Sequence, residues 1–186
     1  MERNWDVSRR KFLGVLGTTS FIRAGGPLRA GADAPSAPTL TRAYKVLQPA
    51  QVETLEAIAE QIVPSDQDPG ARDAGAVHYI DNVLAGEQSE KLPLYDAGLE
   101  GVDQTSQLVH DRNFAQLSFD QQTDILKSLE QGTAQGEIWC SFSSQDFFAM
   151  VWGHILEGFY GPPADGGNKG FASWKMVGFP EHSGTM

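Results

Sequence analysis

Residues 143–160 read SSQDFFAMVWGHILEGFY and predict the central helix of the protein. Ser143 or Ser144 can cap its start, and Asp146 in the first turn favours the positive end of the helix dipole. Aromatic and aliphatic side chains occupy most of the circumference that follows. Because a helix of this kind needs cover on every side, we expect the rest of the chain to pack around it.

Helical patterns also occur upstream of this segment. Apolar residues three and four apart predict two amphipathic helices, over residues 48–63 and 74–84. Ser118 opens a capping box with Gln121, and the helix that starts there is closed by Gly132. Residues 87–110 are polar and weakly patterned, so we expect one helix of moderate length there, after Pro93.

The C-terminal tail, residues 161–180, is rich in glycine and proline, and we expect it to be coil. No run of strand length alternates apolar and polar residues. The sequence therefore predicts an all-α fold. It is a small, irregular helical domain over residues 44–186, with long loops and a coiled tail that wraps the last apolar helix.

The composition of the 186 residues limits the classes of function. A net charge of −10 at pH 7 argues against a nucleic-acid-binding protein, which would carry a basic surface. The single cysteine, Cys140, cannot form an internal disulfide, a cysteine-rich zinc site or the C-x-x-C-H motif of a c-type haem. Any redox centre must therefore come from a partner. The apolar neighbours of Cys140 favour a small buried hydrophobic residue.

The N-terminal 32 residues have the layout of an export signal. They hold six basic and two acidic residues, a net charge of +4, whereas the rest of the chain holds eight basic and 22 acidic residues, or −14. Arg9 and Arg10, followed by Phe12 and Leu13, match the twin-arginine form, which directs folded proteins across the bacterial inner membrane. A modest apolar run and a small-x-small pattern ending at Ala32 follow in the required order.

This layout predicts a domain organisation. Residues 1–32 are a twin-arginine signal peptide cleaved after Ala32, with Ala34 as the competing site, and residues 33–43 are a flexible linker. The apolar run, residues 12–22, is too short to span a bilayer, and we predict no transmembrane segment in the mature chain. The alternative is that residues 12–22 form an amphipathic helix of the domain itself.

His154 and Glu157 are the pair most suggestive of chemistry. Their spacing puts both on one face of the apolar helix, as in metal-binding Glu-x-x-His pairs, although the order is reversed. A metal site would need three or four ligands, and His78, His110 and His182 lie in unrelated sequence contexts. We favour a buried histidine that is hydrogen-bonded to a carboxylate or a backbone carbonyl and orders the tail.

One glycine-rich segment could also bind a ligand. Residues 165–168, Asp-Gly-Gly-Asn, allow an ion or phosphate to approach the backbone closely. The strand before and the helix after that a nucleotide-binding loop requires are missing from the pattern. We therefore interpret this segment as a structural turn.

Aromatic and methionine side chains are concentrated near the C-terminus, in a part of the chain with little regular structure: Trp152, Phe159, Tyr160, Phe171, Trp174, Met176 and Phe179. One interpretation is a core that the tail folds over. The other is a protein interface, because interface cores are rich in these residue types. Both can hold together, and the sequence alone leaves them open.

Two groups of segments resemble a known family. The first consists of AIAEQIVPSD at 57–66 and PGARDAGA at 69–76. The second consists of HILEGFYG at 154–161, GGN at 166–168, Trp174, and GFP at 178–180. Together they are similar to the gluconate 2-dehydrogenase subunit 3 family over about Tyr44 to Pro180, whereas the middle of the chain, residues 87–111, matches poorly.

The resemblance implies a non-catalytic small subunit of a periplasmic dehydrogenase complex. Members pair with a large FAD-dependent flavoprotein of the glucose-methanol-choline oxidoreductase type, which oxidises a sugar, polyol or sugar acid, and often with a c-type cytochrome that takes the electrons. The small subunit typically supplies the twin-arginine signal for a large subunit that has none, and assists its maturation. We therefore expect the twin-arginine translocase to export a folded complex to the periplasm, with membrane association only through partners.

The candidate interface with the flavoprotein lies in the C-terminal half: Phe148, Trp152, His154, Glu157, Phe159, Tyr160, Asn168, Trp174 and Phe179. We expect no catalytic, cofactor-binding or metal-binding residue in the chain itself, with FAD in the flavoprotein and haem in any cytochrome partner. Two alternatives remain open. The chain could contribute His154 or Glu157 to a composite active site or electron path, or it could be an independent enzyme or metal-binding protein.

Overall fold

Six α-helices and five short 3-10 turns make up the regular structure of the computed structural model over residues 44–179, the part of the chain that it describes. This part contains no β-strand, so the predicted all-α class is confirmed. The predicted signal peptide, cleavage site and linker, residues 1–43, lie outside the described residues, as do residues 180–186.

The helices follow one another along the chain, with connections of 7 to 13 residues between them, as the predicted long loops require. Their bounds are α1 Pro49–Ile62, α2 Ala76–Leu84, α3 Leu92–His110, α4 Phe119–Gln131, α5 Ser144–Tyr160 and α6 Ala172–Met176. The 3-10 turns are Ser89–Lys91, Phe114–Gln116, Glu137–Cys140, Pro163–Asp165 and Lys169–Phe171.

Local sequence explains where the helices begin and end. Pro49 is the first residue of α1, a position where its missing N–H costs no helical hydrogen bond. The predicted capping box of α4 is present, because the backbone N–H of Gln121 donates to Ser118 Oγ at 3.3 Å and Ser118 N–H donates to Gln121 Oε1 at 3.0 Å. Ser143 caps α5, accepting from Asp146 N–H at 3.2 Å. Gly132 ends α4 in the left-handed conformation, with φ of 71°.

Helix α5 is the centre of the packing and touches every other α-helix, α2 and α4 most extensively. Phe147, Val151, Ile155 and Phe159, four residues apart, form a buried row along it. Gly158 allows α2 to approach, because a Cβ at this position would lie 2.9 Å from Tyr79 Cβ. The prediction that this helix is covered on most sides is consistent with these contacts.

Helix α3 is longer than the sequence pattern suggested, and the prediction of a moderate helix after Pro93 was wrong in extent. The helix starts at Leu92 and continues for 19 residues. Part of its buried face consists of small residues, which leave room for large rings from elsewhere in the chain. A Cβ at Gly98 would collide with the Phe147 ring, and a Cβ at Gly101 would lie 2.6 Å from the Trp139 ring.

The C-terminal tail contains more regular structure than its composition suggested. Two 3-10 turns and the five-residue helix α6 interrupt the predicted coil. The tail nevertheless follows the C-terminal end of α5, because Asn168 N–H donates to the Gly158 carbonyl at 2.8 Å. Lys169 N–H donates to the Ala74 carbonyl at 2.8 Å and so fixes the tail to the start of α2 as well.

The described chain begins with a segment that α2 holds through a single carboxylate. Asp81, which is 2% exposed, accepts hydrogen bonds from the backbone N–H groups of Lys45, Val46 and Leu47 at 2.7, 3.0 and 3.1 Å. The aromatic ring of Tyr44 stacks on His78, with 4.5 Å between ring centroids. Asp81 and His78 thus both hold the first described residues against α2.

Candidate functional site

His154 lies inside the domain, where it is 4% exposed. Its Nδ1 is 2.7 Å from the hydroxyl oxygen of Tyr95, which comes from α3 and is fully buried. The two rings are nearly parallel, with an interplanar angle of 6°. The predicted partner, a carboxylate or a backbone carbonyl, was wrong, because a phenol hydroxyl takes that place.

Burial controls the protonation of this pair. Desolvation lowers the pKa of His154, although the nearby Glu157 carboxylate acts in the opposite direction. Desolvation also raises the pKa of Tyr95 well above its usual range. At neutral pH the pair therefore consists of a neutral imidazole and a neutral phenol.

Glu157 lies one helical turn after His154 and is exposed. Its Oε2 accepts a hydrogen bond from the hydroxyl of Tyr79 on α2 at 3.0 Å. Desolvation, and then the hydrogen bond and charge of Glu157, raise the pKa of Tyr79 to about 12. The two predicted residues thus each engage a tyrosine from a different helix.

The other histidines do not join His154. His78 stacks on Tyr44, and His110 Nδ1 lies 3.4 Å from the side-chain nitrogen of Gln121, while His182 falls outside the described residues. Within residues 44–179 no three His, Cys, Asp or Glu side chains are grouped so that they could hold a metal ion.

Asn168 is the polar centre of the tail and is fully buried. Its Nδ2 donates to the Gly161 carbonyl at 3.0 Å, and its Oδ1 accepts from the backbone N–H and the hydroxyl of Ser173 at 3.0 and 2.9 Å. The backbone of Asn168 is left-handed, with φ of 42°, a conformation that asparagine tolerates better than most residues. The segment 165–168 is thus a turn, as predicted, and its asparagine joins the end of α5 to the start of α6.

The tail presents an aromatic patch, defined here as Tyr160, Phe171, Trp174, Val177 and Phe179. The Trp174 ring lies 5.6 Å from the Phe171 ring and 5.0 Å from the Phe179 ring, between centroids, and its indole N–H donates to the Tyr160 carbonyl at 2.9 Å. Tyr160, Val177 and Phe179 are 51%, 66% and 54% exposed. Phe171 has φ of 58°, a strained value for a bulky residue, so the surrounding contacts must hold it in place.

The structure divides the nine candidate interface residues into two groups. Those inside the domain, where they contribute to its own packing, are Phe148, His154, Phe159 and Asn168. Those that are exposed or half-buried are Trp152, Glu157, Tyr160, Trp174 and Phe179. The core interpretation therefore applies to the first group, whereas the interface interpretation stays a prediction for the second.

Sequence reasoning missed Tyr79, Tyr95 and Val177. Tyr95 precedes His154 by 59 residues, and Tyr79 precedes Glu157 by 78, so no local spacing marks either pair. The prediction that Cys140 is a buried hydrophobic residue was wrong. This cysteine is exposed at the end of a 3-10 turn, because its neighbour Trp139 provides the packing against α3.

The comparisons with known proteins agree with the motifs. The family model described as gluconate 2-dehydrogenase subunit 3 matches residues 49–180, which include α1 to α6. No curated protein and no solved structure matches the chain significantly. None of the helices in residues 44–179 combines the length and the apolar character that crossing a membrane would require.

Proposed function

The chain belongs to the gluconate 2-dehydrogenase subunit 3 family, an accessory subunit of a dehydrogenase complex, and we propose that it is the non-catalytic small subunit that exports and matures an FAD-dependent flavoprotein. The flavoprotein would oxidise a sugar, polyol or sugar acid, and a c-type cytochrome is a further candidate partner. In this proposal the chain acts by binding, and it carries the complex to the periplasm through its twin-arginine signal.

The aromatic patch is the observation that carries this proposal. Tyr160, Val177 and Phe179 are each more than half exposed although they are large and apolar. Contiguous exposed apolar surface on a soluble domain is typical of a protein interaction site. Aromatic and methionine residues are enriched at the centres of such sites. We propose that the flavoprotein subunit covers this patch.

The leader supports the transport part of the proposal. Its order of paired arginines, apolar run and small-x-small pattern is that of a twin-arginine signal. This route accepts folded cargo, which suits a small subunit that has already bound a partner with its cofactor. The signal on one chain would then serve both.

Substitution within the patch tests the binding role. We expect Phe179→Ser combined with Val177→Ser to abolish co-purification of the chain with the flavoprotein subunit. Leu108→Ser is the matched control, because Leu108 is 60% exposed but lies on α3, outside the patch. Stoichiometric complex with the double variant, at unchanged thermal stability, would contradict the assignment of the patch.

Export is tested separately at the leader. Replacement of Arg9 and Arg10 by Lys should leave both subunits in the cytoplasm, since the translocase receptor reads the arginine pair. The measurement is the distribution of the flavoprotein between cytoplasm and periplasm. Normal export of the flavoprotein with this variant would show that it travels independently. We also expect the neighbouring reading frame to encode a flavoprotein with a dinucleotide-binding fingerprint and no signal of its own.

A further inference from the structure

Helix α5 has a second uncharged face besides its buried row. Four residues that are exposed or half-buried form this face, defined here as the outer seam: Ala149, Gly153, Leu156 and Tyr160. Their spacings of four, three and four residues place them within about 60° of the helix circumference, because each residue advances by about 100°. The seam is about 16 Å long, at about 1.5 Å per residue, and lies opposite the buried row that contains Val151.

The outer seam lacks the charged side chains that a helix normally presents to solvent. Between Asp146 and Glu157 no residue of α5 is acidic or basic except His154, which is buried. A surface helix carries charged and polar residues on the face opposite its buried one. The gap stands out in a chain whose residues 33–186 hold 22 acidic and eight basic residues. The pattern is that of a helix with partners on both sides.

Gly153, in the middle of the seam, has no role in the packing of the described domain. A Cβ at this position would meet no described atom within 4 Å, whereas a Cβ at Gly158 on the buried side would lie 2.9 Å from Tyr79 Cβ. The backbone of Gly153 is helical and does not have a positive φ. Glycine destabilises the interior of a helix relative to alanine. Close approach of a backbone from outside the domain is a contact that would require glycine here.

The spacing of the seam indicates which kind of element packs there. Apolar residues at alternating intervals of four and three are the pattern by which one helix packs along another. Ala149 and Gly153 are small and lie one turn apart, so they would let two helix axes approach to about 8 Å. The seam ends at Tyr160, which also belongs to the aromatic patch, and the Trp174 indole N–H donates to the Tyr160 carbonyl at 2.9 Å. The seam and the patch are therefore continuous.

Other occupants fit the seam less well. Two copies of the chain would bring together domains that each carry −14 over residues 33–186, and like charge of this size opposes self-association. Apart from the predicted signal, the sequence outside the described residues adds Leu40 and Met186 as large apolar side chains. Two such side chains are too few to cover a seam of four positions.

We propose that the outer seam of α5 packs against an α-helix of the flavoprotein subunit, with the closest approach at Gly153. The inference rests on the proposed function and extends it, because the aromatic patch alone does not specify the secondary structure of the partner. The partner helix would present apolar residues at intervals of three and four, and no charged residue opposite Gly153.

Substitution of Gly153 separates binding from folding. Because a side chain there meets no described atom, Gly153→Ala should leave the melting temperature of the isolated chain unchanged or raise it. In the complex the new methyl group would overpack the helix contact, so we expect about tenfold weaker binding of the purified flavoprotein subunit in isothermal titration calorimetry. Gly153→Leu should weaken binding more than about a hundredfold. Ala50→Leu, at an exposed position on α1, is the control and should bind as wild type does.

A cross-link identifies the element that lies on the seam. Cys140 is the single cysteine and is exposed, so Cys140→Ser removes the competing thiol. Ala149→Cys in this background carries one thiol on the seam, to which a maleimide–benzophenone reagent is attached before illumination. We expect mass spectrometry to locate the cross-link in a helix of the flavoprotein whose apolar residues recur at intervals of three and four. Ala50→Cys in the same background is the matched probe and should label the flavoprotein only at background level.

The results distinguish this inference from the proposed function. If the wild-type chain does not bind the flavoprotein subunit, the proposed function itself fails. If wild type binds and Gly153→Leu binds within about twofold of it, the seam is not part of the interface, whereas the proposed function stands. A cross-link from position 149 to a second copy of the chain, or a lower melting temperature of isolated Gly153→Ala, would also overturn the inference.

Discussion

Replacement of Asn168 by Ala should destabilise the domain by about 4 kcal/mol. The side chain of Asn168 makes three hydrogen bonds in a fully buried position, two with Ser173 and one with the Gly161 carbonyl. At about 1 kcal/mol each, their loss contributes about 3 kcal/mol. Alanine in the left-handed conformation at φ of 42° costs about 1 kcal/mol more. The total is a large fraction of the 5–15 kcal/mol that is typical of a domain.

The assay is urea denaturation of the mature chain, followed by far-ultraviolet circular dichroism and by tryptophan fluorescence. Ser173→Ala is the control, because it removes one of the three bonds and should cost about 1 kcal/mol. In the Asn168→Ala background the same substitution should cost close to nothing, since the Ser173 hydroxyl bonds to Asn168 alone. Hydrogen exchange should show that the Ser173 amide loses protection more than amides of α4.

A cost below about 1 kcal/mol for Asn168→Ala, the value of a single hydrogen bond, would contradict this role of Asn168. Costs of Asn168→Ala and Ser173→Ala that simply add in the double variant would contradict it as well. Either result would mean that water or other groups replace the contacts of Asn168 without loss, and that the tail is held by its aromatic packing instead.

Three further predictions concern other contacts of the domain. Asp81→Ala should lower the free energy of unfolding by about 3 kcal/mol, because three backbone N–H groups lose their acceptor, and urea denaturation measures this. Gly158→Ala should cost about 1–3 kcal/mol, because the new methyl group would lie 3.0 Å from the Ala76 backbone, whereas Gly153→Ala on the same helix meets nothing within 4 Å and should be neutral or stabilising. Ultraviolet absorbance titration should give Tyr79 a pKa of about 12, and Glu157→Gln should lower this pKa only in part, because desolvation, the largest cause of the shift, remains. Since that pKa is raised above the value in the unfolded chain, the stability contributed by neutral Tyr79 is present below pH 10 and is lost as the pH rises through about 12.

Local signals predicted the parts of the fold that depend on neighbouring residues. The capping box at Ser118, the cap at Ser143 and the proline at the start of α1 are interactions within a few residues, and all are present. The length of α3 could not be predicted in this way. Its buried face includes Gly98 and Gly101, which are small because rings from distant segments fill the space above them.

In the candidate site, too, the local features could be predicted from the sequence and the long-range contacts could not. His154 and Glu157 were recognisable from their helical spacing, but the hydroxyl groups that bind them come from Tyr95 and Tyr79, on helices that only the tertiary structure brings close. For Cys140, a local pattern led to a wrong prediction. Its apolar neighbours suggested that Cys140 is buried. In a short 3-10 turn, however, adjacent side chains point in different directions, so the packing of Trp139 does not bury Cys140.

The buried polar side chains of the tail form hydrogen bonds within the domain, whereas several of its large apolar side chains are exposed. Asn168 provides partners for Ser173 and the Gly161 carbonyl, whereas Val177 and Phe179 remain more than half exposed. The described part of the tail, residues 161–179, can fold before any partner arrives, because it contains no buried side-chain nitrogen or oxygen that lacks a hydrogen-bond partner. In the proposed complex the partner would then cover the aromatic patch. The hydrophobic effect is non-directional, so in the proposed complex the patch would supply affinity rather than a fixed orientation of the two subunits.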